Sequence, residues 1–318
     1  MRDGDIMQHE TDVQEALRER VKALLANEAI SQKTAATEAD IGYSSFSAWL
    51  SNAYQGDNAK MAAKVERWLA AREERRTASA VLPRDIGWVQ TESAAAILQT
   101  IQYAHIAPDI AVVAMGAGCG KTTTARRYAE ATPNAWLATM DPTTRVVSTA
   151  LGEIAIALGL TERSPQGYAR AISSYVAGKN GLLIIDEAQH LQPNALDALR
   201  SIHDRTGCGL VLLGNETVYT RLEGQGRAAE FAQLFSRVGM RMVQAKPRAG
   251  DATALLDAWG IEAKDSRDFL ARVAAKPGAL RGMVKTMRVA AMLATGAGAE
   301  TPDITHYKAA WSRLSTSS

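Results

Sequence analysis

A glycine-rich stretch of the chain has the residue types and spacing of a phosphate-binding loop. Residues 115–122 read Met-Gly-Ala-Gly-Cys-Gly-Lys-Thr, between an apolar run that predicts a strand and a run that predicts a helix. Glycines let backbone N–H groups point inward around phosphates, and the N-terminus of the next helix adds partial positive charge. Lys121 would add a point charge, although Met115 replaces the first glycine of the usual motif. The predicted nucleotide-binding residues are Gly116, Ala117, Gly118, Cys119, Gly120, Lys121, Thr122 and Thr123.

Two adjacent carboxylates follow a later apolar run. Residues 181–187 read Gly-Leu-Leu-Ile-Ile-Asp-Glu, the pattern of a strand that is buried on both faces. Ligands bind at the carboxyl ends of parallel strands, so both acidic side chains would meet the phosphate loop there. Asp186 and the Thr122 hydroxyl would hold Mg²⁺, and Glu187 would polarise the water that attacks the γ-phosphorus. An acidic pair alone is often a helix cap, but its combination with the phosphate loop favours a site that hydrolyses ATP.

Three further polar residues occur where such a site would use them. Asn215 ends another apolar run and would sense the γ-phosphate or the attacking water, unless it caps the following helix. Arg237, after an apolar helical turn, would stabilise developing charge in a neighbouring subunit, with Arg227 and Arg241 as rivals and a surface arginine as the alternative. Arg281 begins a helix near the C-terminal end and would report the phosphates to it, unless it is a plain helix-start arginine. The predicted catalytic residues are Lys121, Glu187, Asn215, Arg237 and Arg281.

These residues would be positioned by strands and helices that alternate along the middle of the chain. Short apolar runs alternate there with longer amphipathic stretches, which indicates a parallel sheet covered by helices on both faces. The predicted strands span residues 110–115, 135–140, 182–185, 210–213 and 240–243. The predicted helices span residues 122–131, 145–158 and 193–204. The fold class is therefore α/β.

Helical patterns without convincing strands flank this core. Apolar residues recur at helical spacing in residues 12–76, and residues 247–314 show three amphipathic faces and a short fourth helix. Pro83 and Gly87 mark a connecting segment. We therefore predict an N-terminal domain at residues 1–76, a linker at 77–90, an ATPase core at 91–246 and a C-terminal helical lid domain at 247–318.

The N-terminal segment has the pattern of a helix-turn-helix. Residues 31–36 begin one short helix, Ile41 and Gly42 make a turn, and residues 43–52 form a second helix. The second helix has no arginine or lysine at its DNA-facing positions, so we expect weak or sequence-tolerant DNA binding. The alternative is a helical domain used only for protein contacts. The DNA-facing residues would be Tyr43, Ser44 and Ser45, with Ser47 on the same helix.

The composition excludes several classes of protein. The chain has 318 residues, a formal net charge of +2 and two cysteines. No apolar run approaches the roughly 20 residues that span a bilayer, and the polar N-terminus is no signal peptide. Two cysteines cannot build a disulfide framework, so we expect a cytoplasmic protein, in which Cys119 would make the loop sensitive to thiol alkylation. Lys and Arg outnumber Asp and Glu beyond residue 240, which leaves open a solvated surface or a DNA-facing patch.

Longer segments resemble one family of ATPases. Residues 183–188 (LIIDEA), 209–215 (GLVLLGN), 230–237 (EFAQLFSR) and 276–281 (KPGALR) follow the phosphate loop in order, and residues 54–58 (YQGDN) follow the helix-turn-helix. This combination is similar to the B protein of Mu-like bacteriophage transposition, the MuB family of AAA+ ATPases, over nearly the whole chain. The resemblance implies a P-loop AAA+ core with a parallel sheet, an N-terminal all-α helix-turn-helix domain and a C-terminal helical lid.

The resemblance also implies a function. Such proteins bind double-stranded DNA in an ATP-dependent, sequence-tolerant way, form helical filaments on it and deliver it to a transposase. The transposase stimulates the ATPase and filament disassembly, which underlies target immunity. In related filament-forming ATPases, DNA is contacted just after the second strand. The matching residues here are Thr144 and Arg145, whose alternative is a simple cap with a solvent-facing arginine.

Three other functions stay open at this point. A helicase-loading ATPase would prefer a helicase partner and single-stranded DNA. A nucleotide-switched transcription regulator would bind one operator with strong sequence preference. A non-catalytic binding protein would hold nucleotide without turnover, although the pair Asp186 and Glu187 argues against it. Continuous DNA protection, as opposed to protection at one site, would distinguish the filament from these alternatives.

Overall fold

The structure, a computed structural model, describes residues 3–80, 86–216, 234 and 236–314. The chain forms two compact units, Met1–Pro83 and Arg84–Ser318. Our finer division into four segments stays a prediction. In the described ranges, no helix is long and apolar enough to cross a membrane.

The first unit is built from helices. Their bounds are α1 (Asp3–Asn27), α2 (Gln32–Glu38), α3 (Tyr43–Leu50) and α4 (Asn58–Ala80). Ser31 caps α2, because its hydroxyl accepts a hydrogen bond from the Thr34 N–H at 3.0 Å. Two short helices joined by a turn therefore lie where the helix-turn-helix was predicted, and the second ends at Leu50 instead of residue 52.

An ion-pair cluster ties three segments of this unit together. The Arg72 guanidinium on α4 pairs with Glu28 at 2.6 Å and with Glu38. The Trp68 indole N–H also donates to Glu38 at 3.0 Å, and Arg72 lies 6.0 Å from the centre of the Trp68 ring. The hydrogen bond from Trp68 is the largest cause that lowers the pKa of Glu38, and the pairing with Arg72 lowers it further.

Replacing Phe46 by alanine should destabilise the first unit by about 3–5 kcal/mol, because the side chain is completely buried. Its ring centre lies 6.4 Å from that of Trp49 and 6.3 Å from that of Trp68, so truncation leaves a cavity between two large rings. Amide hydrogen exchange of α3 and α4 in the full chain would measure the loss. Tyr43→Ala, at a side chain that is 55% exposed, is the matched control and should change stability by less than about 0.5 kcal/mol. Equal effects of the two variants would contradict this packing.

The second unit is organised around a parallel sheet. Its strands are β1 (Ile110–Met115), β2 (Ala135–Thr139), β3 (Leu182–Asp186), β4 (Gly209–Gly214) and β5 (Val238–Gln244). They lie in the order β2-β3-β4-β1-β5, and every pair is parallel. β1, β3 and β4 are buried along their whole length, whereas the edge strand β5 is partly exposed. All carboxyl ends of the strands therefore meet at one edge of the sheet.

Helices cover both faces of this sheet. Their bounds are α5 (Glu92–Ile106), α6 (Lys121–Ala131), α7 (Val147–Ala157), α8 (Tyr168–Val176) and α9 (Pro193–Thr206). Successive strand residues point to opposite faces. Ala111 thus packs in the cluster that contains residues of α5 and α6, and its neighbour Val112 packs in the cluster that contains residues of α7, α8 and α9.

The C-terminal part of this unit is helical and has a hydrophobic cluster of its own. Its helices are α10 (Ala249–Ala258), α11 (Lys264–Ala274), α12 (Ala279–Gly296) and α13 (Ile304–Leu314). Leu256, Leu270, Met283 and Tyr307, one from each helix, are buried in that cluster. We call these four helices the C-terminal block.

All five predicted strands are confirmed. The continuous apolar runs of β1, β3 and β4 fit strands that are buried on both faces of a sheet. Two helices, α5 and α8, were missed. α8 has only nine residues, of which Ile172 and Val176 are buried, so few positions in the sequence mark it as a helix. α7 begins at Val147 and not at residue 145, because residues 141–144 form a turn.

Candidate functional site

The glycine-rich motif forms the loop between β1 and α6, at the carboxyl end of the sheet. Lys121 is the first residue of α6 and is only 8% exposed. Its ammonium folds back over the loop and donates to the carbonyl oxygens of Met115 at 2.8 Å and Gly116 at 3.0 Å. Burial lowers the pKa of Lys121, and neighbouring acidic side chains oppose that shift. A phosphate group would offset the cost of burying this charge.

Two glycines of the loop make close backbone contacts that only glycine permits. Gly118 has a φ of 79°, and a Cβ there would lie 2.2 Å from the carbonyl oxygen of Gly278. A Cβ on Gly116 would lie 2.0 Å from the carbonyl oxygen of Ala245. The Arg281 N–H also donates to the Gly118 carbonyl at 3.3 Å. The loop is therefore packed against the start of α12 and against the segment that follows β5.

The predicted metal ligands are brought together. Asp186 ends β3 and is completely buried, and its Oδ2 accepts a hydrogen bond from the Thr122 hydroxyl at 2.6 Å. Its Oδ1 accepts from the backbone N–H of Glu187 at 2.9 Å. Mg²⁺ takes oxygen ligands, commonly one or two from the protein together with waters and substrate phosphates. A hydroxyl and a carboxylate beside a phosphate loop fit that requirement.

Glu187 is held in an unusual backbone conformation at the mouth of the loop. Its φ is 53°, in the left-handed region, which costs about 1–3 kcal/mol for a residue with a side chain. The side-chain amide of Gln189 makes both contacts. Its N–H₂ donates to the Glu187 carboxylate, and its Oε1 accepts from the backbone N–H of Asn215 at 3.3 Å. Gln189 therefore connects the two predicted catalytic residues. Sequence reasoning missed it, and the only signal was its place two residues beyond Glu187.

The phosphate loop, Glu187, Asn215 and Arg281 line one cavity of about 410 Å³. Its apolar wall comes from three separate segments of the chain. Trp88 precedes α5, Leu255 lies on α10, and Leu280 and Val284 lie on α12. Sequence reasoning missed all four. The segment at Trp88 had been assigned to a linker, and the others appeared only as apolar faces of helices.

One face of α12 adds three cations to the same cavity. Arg281, Lys285 and Arg288 all line it, and their spacing of four and three residues places them on one side of the helix. Only Arg281 was predicted. The arrangement makes this wall of the cavity positively charged and favours an anionic ligand.

Arg237 does not line this cavity. Its side chain is 57% exposed, and its guanidinium lies 3.8 Å from the carboxylate of Asp204. Its backbone N–H donates to the carbonyl of the buried Leu234 at 3.0 Å. The rival Arg241 lies on β5, and Arg227 lies outside the described residues, as does most of the apolar turn before Arg237.

The predicted DNA-facing residues of the first unit lie in the first turn of α3. Tyr43 and Ser44 are exposed, and Ser45 is half-buried. Gly42 precedes them as the cap of the helix. Their side chains are accessible as the prediction requires, and the DNA contact itself stays a prediction.

Thr144 is used by a local turn. Its hydroxyl donates to the Asp141 carbonyl at 3.0 Å and accepts a hydrogen bond from the Asp141 N–H at 2.7 Å. The side chain is only 5% exposed, and α7 begins three residues later, so Thr144 does not stand at a helix N-terminus as we expected. The Arg145 side chain is exposed, while its carbonyl accepts from the Gln192 N–H at 2.9 Å. A DNA contact by this pair stays a prediction.

Known proteins are similar to most of this chain. Residues 236–314 match the family described as Mu B transposition protein, C terminal, and residues 109–222 match the AAA domain. The ATP-dependent target DNA activator B proteins of Escherichia phage D108 and Escherichia phage Mu are each 36% identical over 284 residues, which cover 89% of this chain and 90% of theirs. The chain belongs to the Mu B transposition protein family.

A solved structure gives the fold of this Mu B family member independently. The ORC1 protein of Aeropyrum pernix, solved in complex with DNA, superposes with a TM-score of 0.55 at 19% identity and covers 74% of this chain and 68% of that one. At this identity the likeness shows the fold alone. The predicted α/β class with a P-loop AAA+ core is thereby confirmed, and the Mu B family member is an AAA+ ATPase.

Cys119 of this Mu B family member should resist alkylation, contrary to our expectation from its place in the loop. The side chain is 2% exposed, and burial raises the pKa of its thiol. Because the thiolate is the nucleophile, a raised pKa leaves less of it at any given pH. Iodoacetamide at about pH 8 should modify Cys119 at least about tenfold more slowly in the native protein than in urea, measured by mass spectrometry of its peptide.

The second cysteine is the internal comparison for that experiment. Burial raises the pKa of Cys208 to about 12, so it should react more slowly still in the native protein. Both native rates should rise with pH. Equal rates for Cys119 in native and unfolded protein would show that the loop opens freely.

Proposed function

We propose that this chain is a Mg²⁺-dependent ATPase that binds double-stranded DNA without strong sequence preference and assembles on it as a helical filament. It would deliver this target DNA to a transposase, activate strand transfer and contribute to target immunity, in the cytoplasm of a bacterial host. The name of the two phage relatives, ATP-dependent target DNA activator B, supports a role on target DNA. The observation that carries the ATP site is the hydrogen bond from Thr122 to the buried Asp186, together with the cavity that Lys121, Thr122 and Glu187 line.

The roles of the residues at the phosphate end follow from their positions. Lys121 would bind the β- and γ-phosphates, together with the N–H groups of the loop. Thr122 and Asp186 would hold Mg²⁺, which when bound supplies charge neutralisation at the phosphates. Glu187 would accept a proton from the attacking water. The hydrogen bond from Gln189 would orient the Glu187 carboxylate for this role.

The other end of the cavity would hold the nucleoside. Trp88, Leu255 and Val284 offer an apolar wall for the base. Arg281 would contact the phosphates from the C-terminal block, and Asn215 would sense the γ-phosphate from the end of β4. Closure of the cavity would thus require the core and the C-terminal block together.

Arg237 would act on the nucleotide of the next subunit. Its side chain is exposed and does not line the cavity of its own chain, which suits a residue presented to a neighbour. ATP bound between adjacent subunits would then close their interface, and hydrolysis would open it. This arrangement makes assembly depend on ATP.

Each unit would make DNA contacts of its own. Tyr43, Ser44 and Ser45 would meet DNA from the first unit, and the exposed Arg145 would bind a backbone phosphate. The buried hydroxyl of Thr144 would act only by shaping the turn. The predicted domains at residues 1–76, 91–246 and 247–318, joined by the linker at 77–90, would correspond to DNA contact, hydrolysis and nucleotide sensing.

Electron microscopy of the purified protein with linear, random-sequence double-stranded DNA tests this proposal. The samples contain ATP, ADP or no nucleotide. Filaments that form on the DNA with ATP, but not with ADP or without nucleotide, would support it. Isolated particles, or DNA binding that is indifferent to nucleotide, would overturn the filament and favour a helicase loader or a site-specific regulator.

A further inference from the structure

A buried carboxylate lies where the core and the C-terminal block meet. Asp251, in the first turn of α10, is completely buried. Its Oδ1 accepts from the Ser93 N–H at 2.9 Å, and its Oδ2 accepts from the Ser93 hydroxyl at 2.5 Å and from the Arg248 N–H at 2.8 Å. Ser93 belongs to α5, which packs on the sheet, whereas Asp251 belongs to the C-terminal block. The contact therefore ties that block to the core.

One carboxylate therefore serves the N-termini of two helices. Ser93 is in the first turn of α5, and Arg248 caps α10. Helix N-termini carry partial positive charge and unsatisfied N–H groups, so two of them would repel each other without an anion between them. A buried carboxylate needs such donors in turn, because an unpaired buried charge is very costly. Neither helix can shift relative to the other without breaking charge-assisted hydrogen bonds.

The same network reaches the phosphate loop. The Gln244 side chain, at the end of β5, donates to the Ser93 hydroxyl at 2.6 Å. The carbonyl of Gln244 accepts a hydrogen bond from the Gly116 N–H at 3.1 Å. A continuous path of hydrogen bonds thus runs from Gly116 through Gln244 and Ser93 to Asp251. One turn after Asp251, α10 carries Leu255 into the wall of the cavity.

We propose that Ser93 and Asp251 are positioning residues for ATP hydrolysis, because they fix the C-terminal block against the phosphate loop. Nucleotide in the loop then orders α10 and α12 through this junction and brings Arg281 into its working place. Neither Ser93 nor Asp251 lines the cavity, so both act through other residues. The proposal rests on the ATP site described under the proposed function.

Ser93→Ala tests the proposal, because it removes the hydroxyl that joins Asp251 to Gln244 and leaves the Asp251 cap on α10 intact. We expect kcat for ATP to fall at least about tenfold, since small displacements of catalytic groups are costly, while KM changes less than about threefold. Thr100→Val is the matched control. Thr100 is on the same helix and is 2% exposed, and among the described residues its hydroxyl bonds only the Ala96 carbonyl of its own helix.

Amide hydrogen exchange with a non-hydrolysable ATP analogue separates positioning from simple stability. In the wild type and in Thr100→Val, the analogue should protect residues 116–124 and also α10 and α12. In Ser93→Ala, protection of residues 116–124 should persist, and protection of α10 and α12 should be largely lost. Asp251→Asn, which places an amide N–H₂ against backbone N–H donors, should show the same pattern.

Two outcomes would overturn the proposal. One is unchanged protection of α10 and α12 in Ser93→Ala; the other is an unchanged kcat. If the wild type itself shows no protection of residues 116–124, the ATP site is wrong, and that failure is visible before any variant is compared. If Asp251→Asn does not fold, Ser93→Ala still decides the question, because it leaves every backbone donor of Asp251 in place.

Discussion

Replacing Lys121 by alanine should lower ATP hydrolysis at least about a hundredfold and weaken ATP binding, because it removes a preorganised cation from a buried position. The ammonium donates to the loop carbonyls of Met115 and Gly116, beside a helix N-terminus whose N–H groups would bind a phosphate. Its burial makes the interaction strong, since water screens it little. Release of inorganic phosphate and equilibrium binding of a fluorescent ATP analogue would measure the two effects.

A matched control and a pH series show whether the effect belongs to Lys121 itself. Lys264→Ala removes an exposed lysine at the start of α11 and should leave both quantities unchanged. Burial lowers the pKa of Lys121, so its protonated form is lost at a lower pH than that of an exposed lysine. ATP affinity of the wild type should therefore fall as pH rises toward that lowered pKa, and Lys121→Ala should lack this dependence. A variant that hydrolyses ATP normally would remove Lys121 from the site.

Replacing Glu187 by glutamine should separate binding from hydrolysis. The change keeps the shape of the side chain and removes the base, so hydrolysis should fall about 10²- to 10⁴-fold while ATP still binds. DNA complexes formed with ATP should then persist, because in the proposed function hydrolysis is the step that would open the interface between subunits. Phosphate release and the lifetime of the DNA complex after dilution would measure this.

Glu130→Gln is the control for that experiment, since Glu130 is an exposed carboxylate on α6. It should behave as the wild type in both assays. Wild-type hydrolysis by Glu187→Gln would show that another group takes the proton. Loss of ATP binding would instead mean that the carboxylate serves mainly to hold the backbone near Gln189.

The sequence predicts the sheet, and it places the glycine-rich loop beside the acidic end of β3, for a physical reason. Strands buried on both faces must be continuously apolar, and a loop that wraps phosphate needs glycines followed by a lysine and a hydroxyl. Both demands fall on consecutive residues and can be read locally. The Thr122–Asp186 contact follows once both segments are placed at the carboxyl edge of one parallel sheet.

Other parts of the site have no local signature. The apolar wall collects Trp88, Leu255 and Val284 from three segments, each of which looks like an ordinary connector or helix face by itself. The same holds for Ser93 and Asp251, whose contact depends on how α5 and α10 approach each other. Such contacts follow from the packing of the second unit, and no spacing along the chain reports them.

Because β5 lies at the edge of the sheet, we expect the protein to lose activity on heating before the sheet unfolds. The phosphate loop is hydrogen-bonded to the last residue of this strand through the Gly116 N–H and the Gln244 carbonyl. Edge segments open locally at a smaller free-energy cost than central strands. Thermal inactivation should therefore precede unfolding of the sheet, and bound ATP should delay it by stabilising the closed edge.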